Sequence, residues 1–288
     1  MPNKAAATAL GPMALAAAEQ HLPAAQRLTD DPLAIHFLPA HIRIATRWRP
    51  LRALLHTATE RQARGMWAAI ACRKRYFDER TRAATAAGVE AVVNLGAGLD
   101  TRACRLPELT GIPVFEVDLP ENINAKQRLL KRLPEAVPGA VRLVPLDFER
   151  QDLAAELQRR GYRLGSRTLF LWEGVTQYLT EDAVRGTLRF LSHAGAGSQL
   201  VFTYVREDFL DGRRSFDAEN LFRAFVRKDR VWHFGLDPER VGDLLGEYGW
   251  RVTEQLGAAE HRSRYVEPTR RDLPVSELER CVHAVRTG

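Results

Sequence analysis

From residue 90 onward, short apolar runs alternate with helical stretches, and no other feature of the sequence constrains the fold as strongly. Ala91 to Leu95, Pro113 to Val117, Val141 to Pro145, Thr168 to Trp172 and Leu200 to Tyr204 each read as a strand. A continuous apolar run of this length suits a strand covered on both faces. Trp250 to Thr253 and Cys281 to Val285 are later strand candidates, and Glu181 to Leu191 and Pro238 to Tyr248 read as intervening helices. Strands alternating with helices imply βαβ units, so an α/β fold with a mostly parallel sheet is expected. Residues 206–232 are charged and aromatic and fit no strand. They read as an insertion, and an insertion beside a site often serves as a lid.

Residues 1–88 have a different character. Alanine, leucine and arginine dominate and β-branched runs are absent, which predicts helix. Asp30-Asp31-Pro32 reads as a helix start, and Pro39 and Pro50 punctuate further segments. Lys4 followed by alanines imitates a secretion signal, but Gly11-Pro12 interrupts the apolar stretch. The stretch reads as a frayed alanine-rich leader. No run reaches the ~18 apolar residues of a spanning helix, so no membrane partner is expected. The whole chain reads as a single domain: a helical cap over 1–88 and a core over 89–288.

Composition narrows the function classes. With 45% hydrophobic and 27% charged residues among 288, the chain is an ordinary globular protein and not a disordered one. Cys72, Cys104 and Cys281 are scattered without metal-ligand spacing, so no metal is expected and a reducing cytoplasm fits. The net charge of +6 is spread along the chain and does not argue for nucleic acid.

The first strand runs into Asn94-Leu95-Gly96-Ala97-Gly98-Leu99-Asp100-Thr101-Arg102. Glycines there let the backbone turn tightly and approach a ligand, although many strand-to-helix turns carry glycine for the turn alone. Asp118 lies 20 positions after Gly98, at the end of the second strand. An acid at that place accepts hydrogen bonds from ribose hydroxyls; as an alternative it caps the helix that Leu119-Pro120-Glu121 begins. Together the two features favour an adenosine-containing ligand. A dinucleotide turn would carry a third glycine where Thr101 stands. Asp100 would repel a pyrophosphate and would suit a cationic group. S-adenosylmethionine has an ammonium and a sulfonium and no phosphate, so the turn tilts toward it and away from NAD.

Arg73-Lys74-Arg75-Tyr76-Phe77-Asp78, the glycine turn, Phe115-Glu116-Val117-Asp118-Leu119-Pro120 with Lys126, Leu146-Asp147-Phe148, and Glu173-Gly174-Val175 with Tyr178-Leu179 occur in that order. In these motifs the sequence resembles the leucine carboxyl methyltransferase family, which includes bacterial polyketide-type O-methyltransferases. The resemblance is strong over the middle third and slighter at Asp31-Pro32-Leu33-Ala34 and Gly249-Trp250-Arg251-Val252. It implies a Rossmann-like class I methyltransferase fold, a mostly parallel seven-stranded sheet with helices on both faces.

The resemblance also implies roles. Arg73, or Arg75 if the register differs, pairs with the cofactor's carboxylate, a task that suits a planar guanidinium. Gly96, Ala97 and Gly98 line the methionine moiety. Asp118, with Leu119 beside it, holds the ribose. Asp147 and Phe148 bind adenine, unless they only cap a helix. Glu173 and Gly174 sit at the methionine end. The sequence departs from the family pattern at Cys104, usually a bulky aromatic, at Lys74, usually a small hydroxyl residue, and at Gln177, which interrupts an apolar run. None of these removes an expected cofactor contact.

Methyl transfer from a sulfonium needs mainly positioning. A carboxylate acceptor is already ionised at neutral pH, whereas a hydroxyl gains from a base. His193, His233 and His261 are candidate bases, and Tyr204, Asp208, Phe209 and Phe216 are candidate pocket residues; of all these, Tyr204 and His233 are the named catalytic candidates. Arg213-Arg214 and Tyr265 are weaker pocket candidates. The Asp/Asn-Pro-Pro-aromatic turn of base-methylating enzymes is replaced by Glu173-Gly174-Val175-Thr176. The expectation is a cytoplasmic S-adenosylmethionine-dependent O-methyltransferase acting on a carboxylate or hydroxyl of a small molecule. The alternatives are a protein C-terminal carboxyl methyltransferase, an NAD-dependent oxidoreductase and a non-catalytic cofactor-binding protein.

Overall fold

The computed structural model describes residues 9–133 and 140–288. Its strands are β1 (Ala91–Leu95), β2 (Val114–Asp118), β3 (Val141–Pro145), β4 (Thr168–Trp172), β5 (Gln199–Val205), β6 (Trp250–Leu256) and β7 (Glu279–Arg286). They form one sheet in the order β3-β2-β1-β4-β5-β7-β6. The first five are parallel, and β7 inserts antiparallel between β5 and β6. This is the expected seven-stranded, mostly parallel architecture. The expectation had cut β6 and β7 short.

Successive residues of a strand point to opposite faces, and both faces are covered. Val93, Leu95, Phe115, Val117, Phe170 and Trp172 pack on one side against α6 (Leu153–Arg159) and α7 (Glu181–Leu191). Val92, Val114, Leu169, Leu171 and Val201 pack on the other against α4 (Met66–Ala86), through Trp67, Ala71, Cys72 and Phe77. A slip of one residue would exchange these sets, so the doubly covered sheet fixes its own register. Between β2 and β3 runs α5 (Pro120–Leu130).

Ahead of α4 come α1 (Leu10–Glu19), α2 (Ala40–Arg47) and α3 (Arg49–Gln62). Pro50 stands in the first turn of α3, where its missing N–H costs nothing. Asp30-Asp31-Pro32 does not start a helix. Asp31 is buried and accepts from the Thr101 hydroxyl at 2.8 Å, and a short 3-10 turn, Ala34–Phe37, follows. The front of the alanine-rich leader, residues 1–8, lies outside the described residues. Gly11-Pro12 opens α1 instead of breaking it. Glu19, at the end of α1, is buried; it accepts from Leu28 N at 3.0 Å, Trp67 Nε1 at 2.8 Å and Arg271 Nη1 at 2.7 Å. The 206–232 segment folds as short helical pieces, with Glu207–Leu210 and Glu219–Leu221 among them.

A bulge in β6 sets Thr253 Oγ1 2.6 Å from His283 Nδ1, while Gln199 Oε1 lies 3.0 Å from His283 Nε2. Burial lowers His283 from 6.5 to about 4. His261, buried with neither ring nitrogen hydrogen-bonded, is also lowered to about 4, chiefly by burial. Between these values and 6.5 the unfolded chain binds protons that the folded chain refuses, so stability falls as pH drops through that window. His283→Asn is expected to flatten this acid limb, by on the order of 1–3 kcal/mol at pH 5. Urea unfolding of both proteins between pH 7 and pH 4.5 measures it; parallel curves would refute the assignment.

Candidate cofactor site

The strand order reverses at β1, between β2 and β4. Open α/β sheets bind ligands in the crevice outside the carboxyl ends of the strands at such a point. A cavity of about 360 Å³ lies there. Gly96, Ala97 and Gly98 after β1, Asp118 and Leu119 from β2, Asp147 and Phe148 after β3, and Glu173 and Gly174 after β4 all line it. Pro12 and Met13 of α1, Arg73 and Lys74 of α4, and Val231 and His233 beyond β5 line it too.

The glycine turn is held by β2. Gly96 N and Ala97 N donate to Val117 O at 2.8 and 3.0 Å, and Gly98 N donates to Asp118 Oδ2 at 2.6 Å. Gly96 and Gly98 adopt φ of +70° and +44°, a region that glycine enters at no steric cost. Asp118 Oδ1 accepts from Leu119 N and from Asn122 Nδ2, both at 2.7 Å. Asp118 therefore braces the turn and stays at the cavity wall; it does not cap α5 in the usual manner, whose N-cap position is Leu119. Burial pushes its carboxyl up, against the pull of these hydrogen bonds. Asp147 Oδ1 accepts from Glu149 N at 3.0 Å, whereas the cap of α6 is Asp152. Asp147 is thus free of the capping role and lies on the cavity with Phe148.

The other end of the cavity rests on a buried ion network. Arg102, 2% exposed, donates to Asp78 Oδ1 at 2.7 Å, meets Glu173 Oε2 at 2.8 Å and pairs with Asp100. Arg73 donates to Glu173 Oε1 at 3.0 Å and to Glu279 Oε2 at 2.6 Å. Burial opposes the charge of Glu173, but Arg102 and Arg73 hold it down at about 2. Burial likewise opposes the charge of Asp100, yet Arg102 foremost holds it well below the usual carboxylate range. Asp100 was expected to face a cationic ligand group; the cation it faces is Arg102. The helix that follows the turn is only Arg102–Arg105.

Of the two arginines considered for the cofactor's carboxylate, Arg73 lines the cavity. Arg75 instead pairs with Glu79 and lies over the Tyr265 ring. His233 lines the cavity at its exposed rim. Tyr204 does not reach it. Its side chain is fully buried within the sheet layer, with the hydroxyl donating to Gln255 Oε1 at 2.6 Å. Strand alternation, which turns Tyr204 into the core, overrides its position near a strand end. His193 and His261 are also elsewhere: His193 Nδ1 lies 3.4 Å from Phe190 O, and His261 stacks on Tyr265. Phe209 and Phe216 join a separate apolar cluster at the end of β5, with Val205, Leu221 and Leu278. Asp208 pairs with Arg206 and Arg214, Arg213 with Asp211 and Glu207, and Tyr265 donates to Glu79. Sequence reasoning gave no role to Arg102 or Asn122. An arginine directly after an Asp-Thr pair in a ligand turn is a weak signal of the first; nothing local signals the second.

Known proteins place this arrangement. A profile of the leucine carboxyl methyltransferase family matches residues 9–192. A proposed S-adenosyl-L-methionine-dependent methyltransferase of Mycobacterium avium is 32% identical over 267 residues, covering 88% of this chain and 87% of that one. One of Mycobacterium tuberculosis is 33% identical over 257 residues and 82% of each chain. A proposed methyltransferase of Thermobifida fusca has a similar fold, with a TM-score of 0.57 at 17% identity over 84% of this chain and 90% of that one. A DUF574 family protein of Streptomyces avermitilis gives 0.55 at 18% identity, over 83% and 92%. With the family profile spanning most of the chain and the sequence relatives more than four fifths of it, the protein belongs to the leucine carboxyl methyltransferase family.

Proposed function

We propose that this family member is an S-adenosylmethionine-dependent O-methyltransferase whose acceptor is a carboxylate or hydroxyl of a small molecule. The observation that carries the reading is the order of groups along the cavity. Phe148 and Asp147 lie past β3, Asp118 past β2, the glycine turn past β1, and cations on α4 near Glu173 past β4. That order complements adenine, ribose, sulfonium arm and carboxylate in turn. When bound, the cofactor supplies an electrophilic methyl on sulfur. The chain's own residues orient it: Asp118 offers carboxylate oxygens toward hydroxyls, Gly96 and Gly98 allow close approach, and Phe148 offers an aromatic face.

Neither catalytic acid nor base is implied by the buried network, because its carboxylates are committed to arginines. His233 is the one histidine on the cavity wall among the described residues, and it stands at the rim. This favours an acceptor that is already an anion or that enters past the 206–232 segment beside Val231. The dinucleotide reading has less support. The helix after the turn has four residues, Arg102–Arg105, and gives little N-terminal field for a pyrophosphate.

Calorimetric titration with S-adenosylhomocysteine, with NADH and NADP in parallel, tests the cofactor. Micromolar binding of S-adenosylhomocysteine alone is expected. A radiolabelled methyl donor offered with pooled carboxylic acids, phenols and amines then tests the acceptor. Label transferred to amines only would overturn the O-methyl reading, and tight binding without transfer to any pool would favour a non-catalytic binder.

A further inference from the structure

Lys74 was marked by the sequence only as a departure from its family. In the structure it follows Arg73 on α4 and lines the cavity, although the residue is only 5% exposed. Its Nζ has no hydrogen bond or ion pair with any described residue. The two carboxylates that feel its charge, Asp100 and Glu173, are engaged by other donors. Asp100 Oδ1 accepts from Arg102 N at 2.7 Å, and Oδ2 from Asn94 Nδ2 at 3.0 Å and from Arg102 Nη1. Glu173 has Arg73 on one oxygen and Arg102 on the other. The backbone is fixed too, since Lys74 O accepts from Arg102 Nη2 at 3.2 Å.

An ammonium with so little access to solvent and no direct ion pair is costly, and such charges are normally paired. The missing partner here is an anion that arrives through the cavity. We propose that Lys74 is the counter-ion of the carboxylate on the cofactor's amino-acid arm, a contact that the family resemblance implies for Arg73. This rests on the cofactor reading above. Arg73 reaches the cavity with its charge already shared between Glu173 and Glu279. Among the described residues, Lys74 is the cavity's cation without such a partner. Its location also fits: Asp118 and Phe148 mark the nucleoside end, whereas Lys74 stands at the opposite end, close enough to Glu173 and Asp100 to lower both. A compact ammonium on a flexible stem can follow a single carboxylate without needing a fork geometry.

The test compares two probes that share a thioether nucleoside and differ in the amino-acid arm: S-adenosylhomocysteine and 5′-methylthioadenosine. Wild-type protein is expected to prefer the first. Lys74→Met is expected to weaken S-adenosylhomocysteine about 10- to 100-fold, the range for a lost charged hydrogen bond. Binding of 5′-methylthioadenosine should stay the same, so the preference collapses. Lys74→Arg, which keeps the charge, should retain most of it. An undiminished preference in Lys74→Met would overturn the assignment. So would equal weakening of both probes, which would mark Lys74 as structural. If wild-type protein bound neither probe, the cofactor reading itself would fall, and this inference with it.

Discussion

Arg102→Met is expected to destabilise the fold by about 3–5 kcal/mol, because removing one partner of a buried ion pair strands the other. Arg102 serves three carboxylates at once: Asp78, Asp100 and Glu173. Arg105 still reaches Asp78 at 2.7 Å and Arg73 still reaches Glu173 at 3.0 Å. Asp100 would keep only Asn94 and a main-chain N–H. The pH dependence supplies a second, sign-sensitive readout. In wild-type protein Glu173 and Asp100 are held below their ordinary values. Their stabilisation is therefore present above about pH 4.5 and is lost as pH falls toward about 2. In Arg102→Met burial is opposed only by the more distant Lys126 and Lys74 and by the remaining hydrogen bonds, so the stranded Asp100 is expected to be raised instead. Its contribution then changes sign, and the variant's deficit should shrink on acidification below about pH 4. Urea unfolding at pH 7 and pH 3.5 decides the matter. A deficit below 1 kcal/mol at pH 7, or one that grows in acid, would show that the network does not hold these charges.

The second large effect belongs to the glycine turn. Gly96→Ala is expected to cost about 2–5 kcal/mol, the sum of a left-handed backbone penalty and overpacking. At φ +70° an added Cβ would overlap Val175 Cγ2 and come within 2.9 Å of Cγ1. Val175 also lines the cavity, so the strain is relieved only by moving the cavity wall. S-adenosylhomocysteine affinity should fall at least 100-fold along with stability. Val175→Ala alone should cost little, and the double variant should recover a substantial part of both losses. That is the coupling expected of residues in direct contact. Additive losses in the double variant would place the defect in the backbone and not in the contact.

Much of this arrangement is readable from the chain because it is local. β1, β3 and β4 are short, mainly apolar runs, and their limits emerge unchanged. The cavity residues lie at or just past strand ends, so finding a strand also finds Gly96, Asp118, Asp147 and Glu173. β6 is harder because much of it is partly exposed, and its continuation past Thr253 depends on pairing with β7 across a bulge. Tyr204 misled for a related reason: lying at a strand's end says nothing about which way a side chain points. The ion network lies beyond such reading. Arg73 meets Glu173 and Glu279, 100 and 206 positions away. No periodicity links them; only the folded sheet does. The same distance hid Lys74, whose significance lies in its neighbours' being already satisfied.

The fastening of α1 has a consequence for how the protein is made. Pro12 and Met13 form part of the cavity wall, and α1 ends on Glu19. Arg271, 252 positions later, supplies that carboxylate's guanidinium. The ribosome delivers the wall near the outset and its fastener near the finish. All five parallel strands can exist on a nascent chain while Glu19 still lacks this guanidinium. The helix that carries Pro12 and Met13 thus gains its last fastening only after translation has passed Arg271.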